Sequence, residues 1–304
     1  MRSRFVPTAL AAALLLGACS SAADSVDSVD DLERRAEDLA QASPVRFERY
    51  VALGDSFTAA PLVPTTDLAD GCFRSDSNYP SIVAEQLDIA ELVDVSCSGA
   101  ETEDLTGRQP TVRGATVPPQ LRALDRDTDL VTVGIGGNDF DLFHTLVTTC
   151  TKTGRQDPTG SPCAEELEQR GVDLVARTDE ISDRVADAVT QVQRRAPEAT
   201  VVLVGYLRLA PRTGRCRDLP FARGDYEYGA EVSRALNDAL ERAARRTGVE
   251  FVDMHAASEG HDVCSDEPWV NGHRTVQGEA LAYHPFAEGM EAVAEEVVAA
   301  IVRP

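Results

Sequence analysis

A serine hydroxyl becomes a useful nucleophile only when a neighbouring base takes its proton, and this chain places serine and histidine where such a pair could form. Ser56 stands in Val51-Ala52-Leu53-Gly54-Asp55-Ser56-Phe57-Thr58, just past an apolar run that reads as a strand. Ligands of open α/β sheets meet the protein at the carboxyl ends of strands. Gly-Asp-Ser alone equally suits a helix start, because Asp and Ser are both good N-caps. Two later segments repeat the arrangement. One strand candidate runs into Ser96-Cys97-Ser98-Gly99-Ala100, and another into Gly134-Ile135-Gly136-Gly137-Asn138-Asp139. Glycine lets backbone approach a substrate closely, and an amide side chain can donate to a developing oxyanion. Late in the chain, His284 lies in Tyr283-His284-Pro285-Phe286. Imidazole, with an ordinary pKa of about 6.5, can accept a proton near neutral pH and return it to a leaving group.

The elements that must position these residues follow from periodicity. Short β-branched runs predict strands over Arg49 to Leu53, Leu92 to Val95, Leu130 to Ile135, Thr200 to Tyr206 and Val249 to Val252. Helices are expected over Tyr79 to Leu87, Asp173 to Arg195, Asp225 to Arg246 and Pro285 to Val302, the third with apolar spacing through Val232, Leu236 and Leu240. Alternating strands and helices imply a parallel sheet covered on both faces. The expected fold is therefore α/β: a single doubly wound domain over residues 46–304, with a central parallel five-stranded sheet in a three-layer sandwich. Thr148 to Glu165 is polar, carries Gly and Pro, and reads as a surface insertion pinned by Cys150 and Cys163.

These segments resemble the blocks of the SGNH, or GDSL-type, hydrolase superfamily. Gly-Asp-Ser-Phe matches its first block, Ser-Gly-Ala its second, Gly-Gly-Asn-Asp its third and His-Pro its last, in family order from about Arg49 to Pro304. The resemblance implies a flavodoxin-like sheet of order 2-1-3-4-5, which brings the carboxyl ends of the first three strands together. It implies Ser56 as nucleophile, His284 as base, and an oxyanion site built from the N–H groups of Ser56 and Gly99 and the amide of Asn138. No cofactor or metal is implied, and Asp55 and Asp139 read as caps or site braces.

One position departs from the family pattern. An Asp usually stands three residues before the histidine to orient the imidazole, and here that residue is Leu281. Some secreted actinobacterial members use a Ser–His dyad, with a backbone carbonyl in place of the carboxylate. The resemblance therefore points to a dyad with the Leu281 carbonyl as orienter, while Asp253, Asp262, Asp266 and Glu279 are substitutes without family support. His144, His255, His261 and His273 read as surface or structural, with His144 a site-rim candidate.

The ends, cysteines and charge bound the setting. Arg2 and Arg4 precede a short apolar stretch, Ala9 to Leu16, so residues 1–18 read as a signal peptide rather than a membrane span. Leu16-Gly17-Ala18-Cys19 resembles a bacterial lipobox, with Cys19 lipidated; the alternative is an ordinary secretory signal with Cys19 near the cut. Residues 19–45 then form the lipidated N-terminus and an acidic tether. Of seven cysteines, setting Cys19 aside leaves six, an even set suited to an oxidising compartment. Six allow fifteen pairings. Resemblance to the secreted actinobacterial lipases and esterases, with neighbourhood, favours Cys72–Cys97, Cys150–Cys163 and Cys216–Cys264. The net charge of −22 argues against nucleic acid and against charge-driven docking on anionic lipid.

The expected protein is an exported monomeric serine ester hydrolase acting on an ester or lipid, attached to the membrane only through Cys19 on the outer face, or else secreted. A polysaccharide deacetylase or acyltransferase on the same scaffold is the alternative. A non-catalytic surface binding protein is the third reading, disfavoured by the joint presence of Ser56, Gly99, Asn138 and His284.

Overall fold

A computed structural model of the chain describes residues 46–212 and 214–302. The signal segment, Cys19 and the acidic stretch to residue 45 lie outside the described residues. Seven strands occur among them: β1 (Arg49–Gly54), β2 (Glu91–Asp94), β3 (Gln109–Pro110), β4 (Thr116–Val117), β5 (Leu130–Gly134), β6 (Thr200–Val204) and β7 (Glu250–Val252). The short β3–β4 ribbon stands apart, and the other five form one sheet of order β2-β1-β5-β6-β7. All its pairings are parallel, with Val51 beside Val131 and Val133 beside Leu203. The central strands read as continuous apolar runs because both faces are covered: β5, Leu-Val-Thr-Val-Gly, is buried throughout. Its one polar side chain, Thr132, is satisfied by the Tyr50 hydroxyl at 2.7 Å.

Helices complete the sandwich: α1 (Ser56–Ala59), α2 (Tyr79–Gln86), α3 (Leu142–Gln156), α4 (Pro162–Gln169), α5 (Leu174–Arg195), α6 (Asp225–Thr247), α7 (Met254–Ala257) and α8 (Ala287–Val302). On α5 the buried residues Leu174, Thr178, Ile181, Val185, Val189 and Val192 recur every three or four positions, the stripe of a helix lying on a core. On α6 the stripe runs through Val232, Leu236 and Leu240 as expected. The two pack together on one face of the sheet, and α2 and α8 pair on the other. The α/β class and the five sheet strands expected from the amino-acid pattern are observed, and the sheet order is the one the resemblance implied.

The segment from Thr148 to Glu165 is different from expectation. It forms the second half of α3 and the start of α4 rather than an irregular insertion. Cys150, Thr153 and Gly154 fall on one buried face of α3. Gly154 has no room for a Cβ, which would lie 2.5 Å from the Pro220 carbonyl oxygen, so a small residue lets α3 lie directly on backbone. The Asp225 carboxylate accepts the N–H groups of Cys163 and Ala164 and caps α4. Polar composition here marks helix caps, a helix junction and an exposed face that includes residues 155–159.

The three disulfides are Cys72–Cys97, Cys150–Cys163 and Cys216–Cys264, the pairs the resemblance implied. They close loops of 25, 13 and 48 residues. If each acts by restricting the unfolded chain, the contributions are about 3.5, 3 and 4 kcal/mol. Replacing both cysteines of each pair by alanine is expected to lower unfolding free energy in that rank order, with Cys216–Cys264 the largest loss, read from urea titrations. An unreduced, denatured chain starting after Cys19 is expected to show no free thiol.

Candidate active site

β1 leaves the sheet through Gly54, where a Cβ would sit 2.7 Å from the Gly134 carbonyl oxygen on the neighbouring strand. The chain turns at once into α1. Asp55 caps it, its Oδ1 accepting the Phe57 N–H at 2.8 Å. Ser56 is then the first helical residue, and among the described residues its own N–H has no partner, as the first N–H groups of any helix do not. The helix-start reading of Gly-Asp-Ser is met, and the same turn sets Ser56 at the head of the helix, the place the nucleophile expectation needs.

His284 comes from the loop before α8. Its Nε2 lies 2.7 Å from Ser56 Oγ, across 228 residues of sequence. Its Nδ1 lies 2.8 Å from a backbone carbonyl. That carbonyl belongs to Ala282, which corrects the expectation for Leu281. The Leu281 carbonyl accepts the His284 N–H and the Asn271 amide, both at 3.1 Å, and is turned away from the ring. A carbonyl two residues before the histidine reaches Nδ1 because Tyr283, between them, takes the left-handed conformation at φ 62°. Among the described residues, no carboxylate contacts the ring. Asp253 caps α7 through the Ala256 N–H, and Asp262 accepts the Cys264 N–H. Burial pushes the His284 imidazole down to about 4, with the Ala282 carbonyl opposing the shift. The Phe57 ring, 5.5 Å away centre to centre, supplies part of that apolar cover.

The donors expected for an oxyanion come from the two neighbouring strand ends. After β2 the chain is pinned by the Cys72–Cys97 disulfide and by the Ser98 N–H on the Cys72 carbonyl. Gln109 Nε2 holds the Ser98 carbonyl at 3.0 Å. Gly99 follows at φ 79°, a conformation that costs other residues energy, and its N–H has no partner among the described residues. After β5, Asn138 Nδ2 donates to the Ala100 carbonyl at 3.0 Å, tying the asparagine to the glycine loop. Asp139 accepts both the N–H and the hydroxyl of Thr102, and the Arg184 guanidinium lies over Phe140, 4.0 Å from its centre. Asp139 is thus a brace, as expected.

Tyr206, just past the end of β6, was not legible as a site residue. Its hydroxyl accepts the Gly137 N–H at 2.8 Å and donates to Asp55 Oδ2. It joins the nucleophile turn to the asparagine loop, and its ring packs on Phe57 at 5.0 Å. Burial pushes the Asp55 carboxyl up to about 7, against hydrogen bonds from Tyr206 and Phe57. A tyrosine on the strand beyond the switch point is the only sequence signal for this role, and it is a weak one. The remaining histidines make no hydrogen bond to this cluster: His144 is exposed on α3, next to Phe143, whose ring packs on Phe57, His261 stacks on Trp269, His273 Nδ1 meets the Asp218 carbonyl, and His255 is pushed down to about 4 by burial. Among the described residues no three of His, Cys, Asp and Glu gather as a metal site, and no helix is long and apolar enough to cross a membrane.

Residues 52–292 match the model of the GDSL-like Lipase/Acylhydrolase family, and the chain belongs to that family; it is a carboxylic ester hydrolase. Among its relatives, Lipase 2 of Streptomyces coelicolor is 38% identical over 274 residues, covering 85% of this chain and 87% of that protein. The crystal structure of phospholipase A1 from Streptomyces albidoflavus superposes with a TM-score of 0.69 at 27% identity, covering 84% of this chain and 99% of that one. That of an extracellular lipase from Streptomyces rimosus gives 0.64 at 27% identity, covering 83% and 99%.

Proposed function

We propose that the protein is an exported lipase or esterase working through an acyl-enzyme on Ser56, with His284 as general base. The observation that carries this reading is the 2.7 Å contact between His284 Nε2 and Ser56 Oγ. His284 takes the serine proton as Oγ attacks the ester carbonyl. The negative charge formed on the carbonyl oxygen is met by the N–H groups of Ser56 and Gly99 and by the Asn138 amide. Collapse expels the alcohol, which takes the proton from His284, and water repeats the sequence to release the acid. The Ala282 carbonyl fixes the Nδ1–H tautomer, so that Nε2 is free to accept. Phe57 beside Ser56 packs on an apolar cluster of Leu142, Phe143, Leu146, Leu207 and Leu236 that leaves only about 20 Å³ of free space, so this cluster braces the turn and does not hold an acyl chain. A fluorophosphonate should label Ser56 alone, and esters and phospholipids of rising chain length should be turned over. Labelling elsewhere, or turnover without labelling at Ser56, would overturn the assignment.

A base held at about 4 by burial is neutral across the range where an ordinary imidazole would be protonated. The acid limb of kcat/KM is therefore expected near pH 4 rather than near 6.5, so activity at pH 5.5 should stay close to its neutral value. A limb at about 6.5 in the pH profile would show that the ring is solvated in the working enzyme.

Export is supported by the signal-like residues 1–18, the three disulfides and the extracellular Streptomyces relative, while anchoring rests on the lipobox-like Leu16-Gly17-Ala18-Cys19 alone. Cys19 is the proposed lipid site, which holds the enzyme at the outer membrane face through its acidic tether. A fatty-acid analogue should label the wild type and not Cys19→Ala; equal labelling of both would refute the anchor.

A further inference from the structure

We infer that Asn271 is a positioning residue for the base, cinching the loop that carries Ala282 and His284; the inference rests on the Ser56–His284 reading above. Asn271 is 5% exposed and touches neither ring nitrogen of His284. Its backbone N–H donates to the His284 carbonyl at 2.8 Å. Its side-chain Nδ2 reaches three carbonyls of the intervening loop, those of Arg274 at 2.8 Å and of Ala280 and Leu281 at 3.1 Å. One residue thus grips both ends of an excursion that runs from 271 to 284. The flanking contacts share this geometry: Val270 bridges Pro285, Phe286 N–H donates to Trp269, and Tyr283 N–H donates to Gly272.

The excursion needs such a grip. Tyr283 holds φ 62°, a left-handed conformation that a non-glycine residue keeps only when its surroundings impose it. The strained residue lies between the two groups whose relative placement matters, the Ala282 carbonyl and the His284 ring. With the Leu281 carbonyl occupied by Asn271 and by the His284 N–H, the next carbonyl is the one aimed at Nδ1. Removing the amide frees three carbonyls and lets the segment relax. The ring then loses its fixed tautomer and its register on Ser56, and an ångström of misplacement can cost about 10²-fold.

The test compares Asn271→Ala, Asn271→Asp and Val189→Ala with the wild type. Val189 is buried on α5, remote from the site. Asn271→Ala is expected to lower kcat by about 10²-fold with KM little changed. Asp matches Asn in shape but offers no donors to the carbonyls, so Asn271→Asp should fall at least as far. Val189→Ala should lose thermal stability and keep kcat. In protein carrying 15N-histidine, the low-field Nδ1–H resonance of His284 should be sharp in the wild type and in Val189→Ala, and lost in Asn271→Ala. Full kcat in either Asn271 variant, or retention of the resonance in Asn271→Ala, would overturn the inference. So would a kcat loss in Val189→Ala equal to that of Asn271→Ala. Ser56→Ala in the same assay isolates the underlying reading: full turnover there would remove the dyad itself, whereas an inactive Ser56→Ala beside a fully active Asn271→Ala would remove only the role of Asn271.

Discussion

Ser56→Ala is expected to fold normally and to lose about 10⁴–10⁶-fold in kcat, and His284→Ala to lose as much. The two losses should not add. Oγ is nucleophilic only while Nε2, 2.7 Å away, can take its proton, so once either partner is gone the other has no remaining function in the chemistry. The double variant should therefore match the singles. The residual rate above water would come from the N–H groups of Ser56 and Gly99 and the Asn138 amide, which survive all three substitutions. Steady-state kinetics on a soluble ester, with circular dichroism to confirm folding, decide it. Losses that multiply in the double variant would mean that the two residues act in separate steps.

Asn138→Ala should cost about 10²–10³-fold in kcat and leave KM nearly unchanged, because its donor meets charge that exists only in the transition state. On that reading, the hydrogen bonds around Asn138 hold the proposed donor in advance. One amide hydrogen is committed to the Ala100 carbonyl, which fixes the amide plane and leaves the second hydrogen available. Gly137 is anchored to Tyr206 and Asp139 to Thr102 on either side of it. Alanine loses both the donor and the tie to the Gly99 loop, so the effect should lie toward the upper end of the range. Asn138→Asp keeps the shape and brings a negative charge toward the oxyanion, and should be at least as inactive. An unchanged kcat in Asn138→Ala would show that other groups hold the charge.

Much of this was legible because the signals were carried by side chains at strand ends. Apolar runs located the strands, and the glycine, serine and asparagine just beyond three of them were read as a site through the resemblance to the SGNH blocks. What escaped notice was carried by backbone or by distant partners. Any residue can offer a carbonyl, so nothing in the sequence distinguishes Ala282 from Leu281; the choice is made by the turn at Tyr283. Tyr206 and Asn271 are ordinary polar residues until tertiary structure aims the one at Gly137 and Asp55 and the other at three carbonyls. Thr148 to Glu165 was misread because polar residues that cap and join helices look like those of an exposed loop.

The separation of 228 residues between Ser56 and His284, the proposed nucleophile and base, bears on the order in which the molecule becomes reactive. A chain made from its N-terminus carries the turn with Ser56 while the residue that activates it has not yet been added. The strands that frame the donors, β1, β2 and β5, are complete by residue 134, but a nascent enzyme at that stage holds an inert alcohol. Closure of so long a loop is also among the slower events of folding. On the proposed mechanism, full reactivity therefore waits for the segment that pairs Trp269–Asn271 against His284–Phe286, and a chain that stops short of it lacks its base.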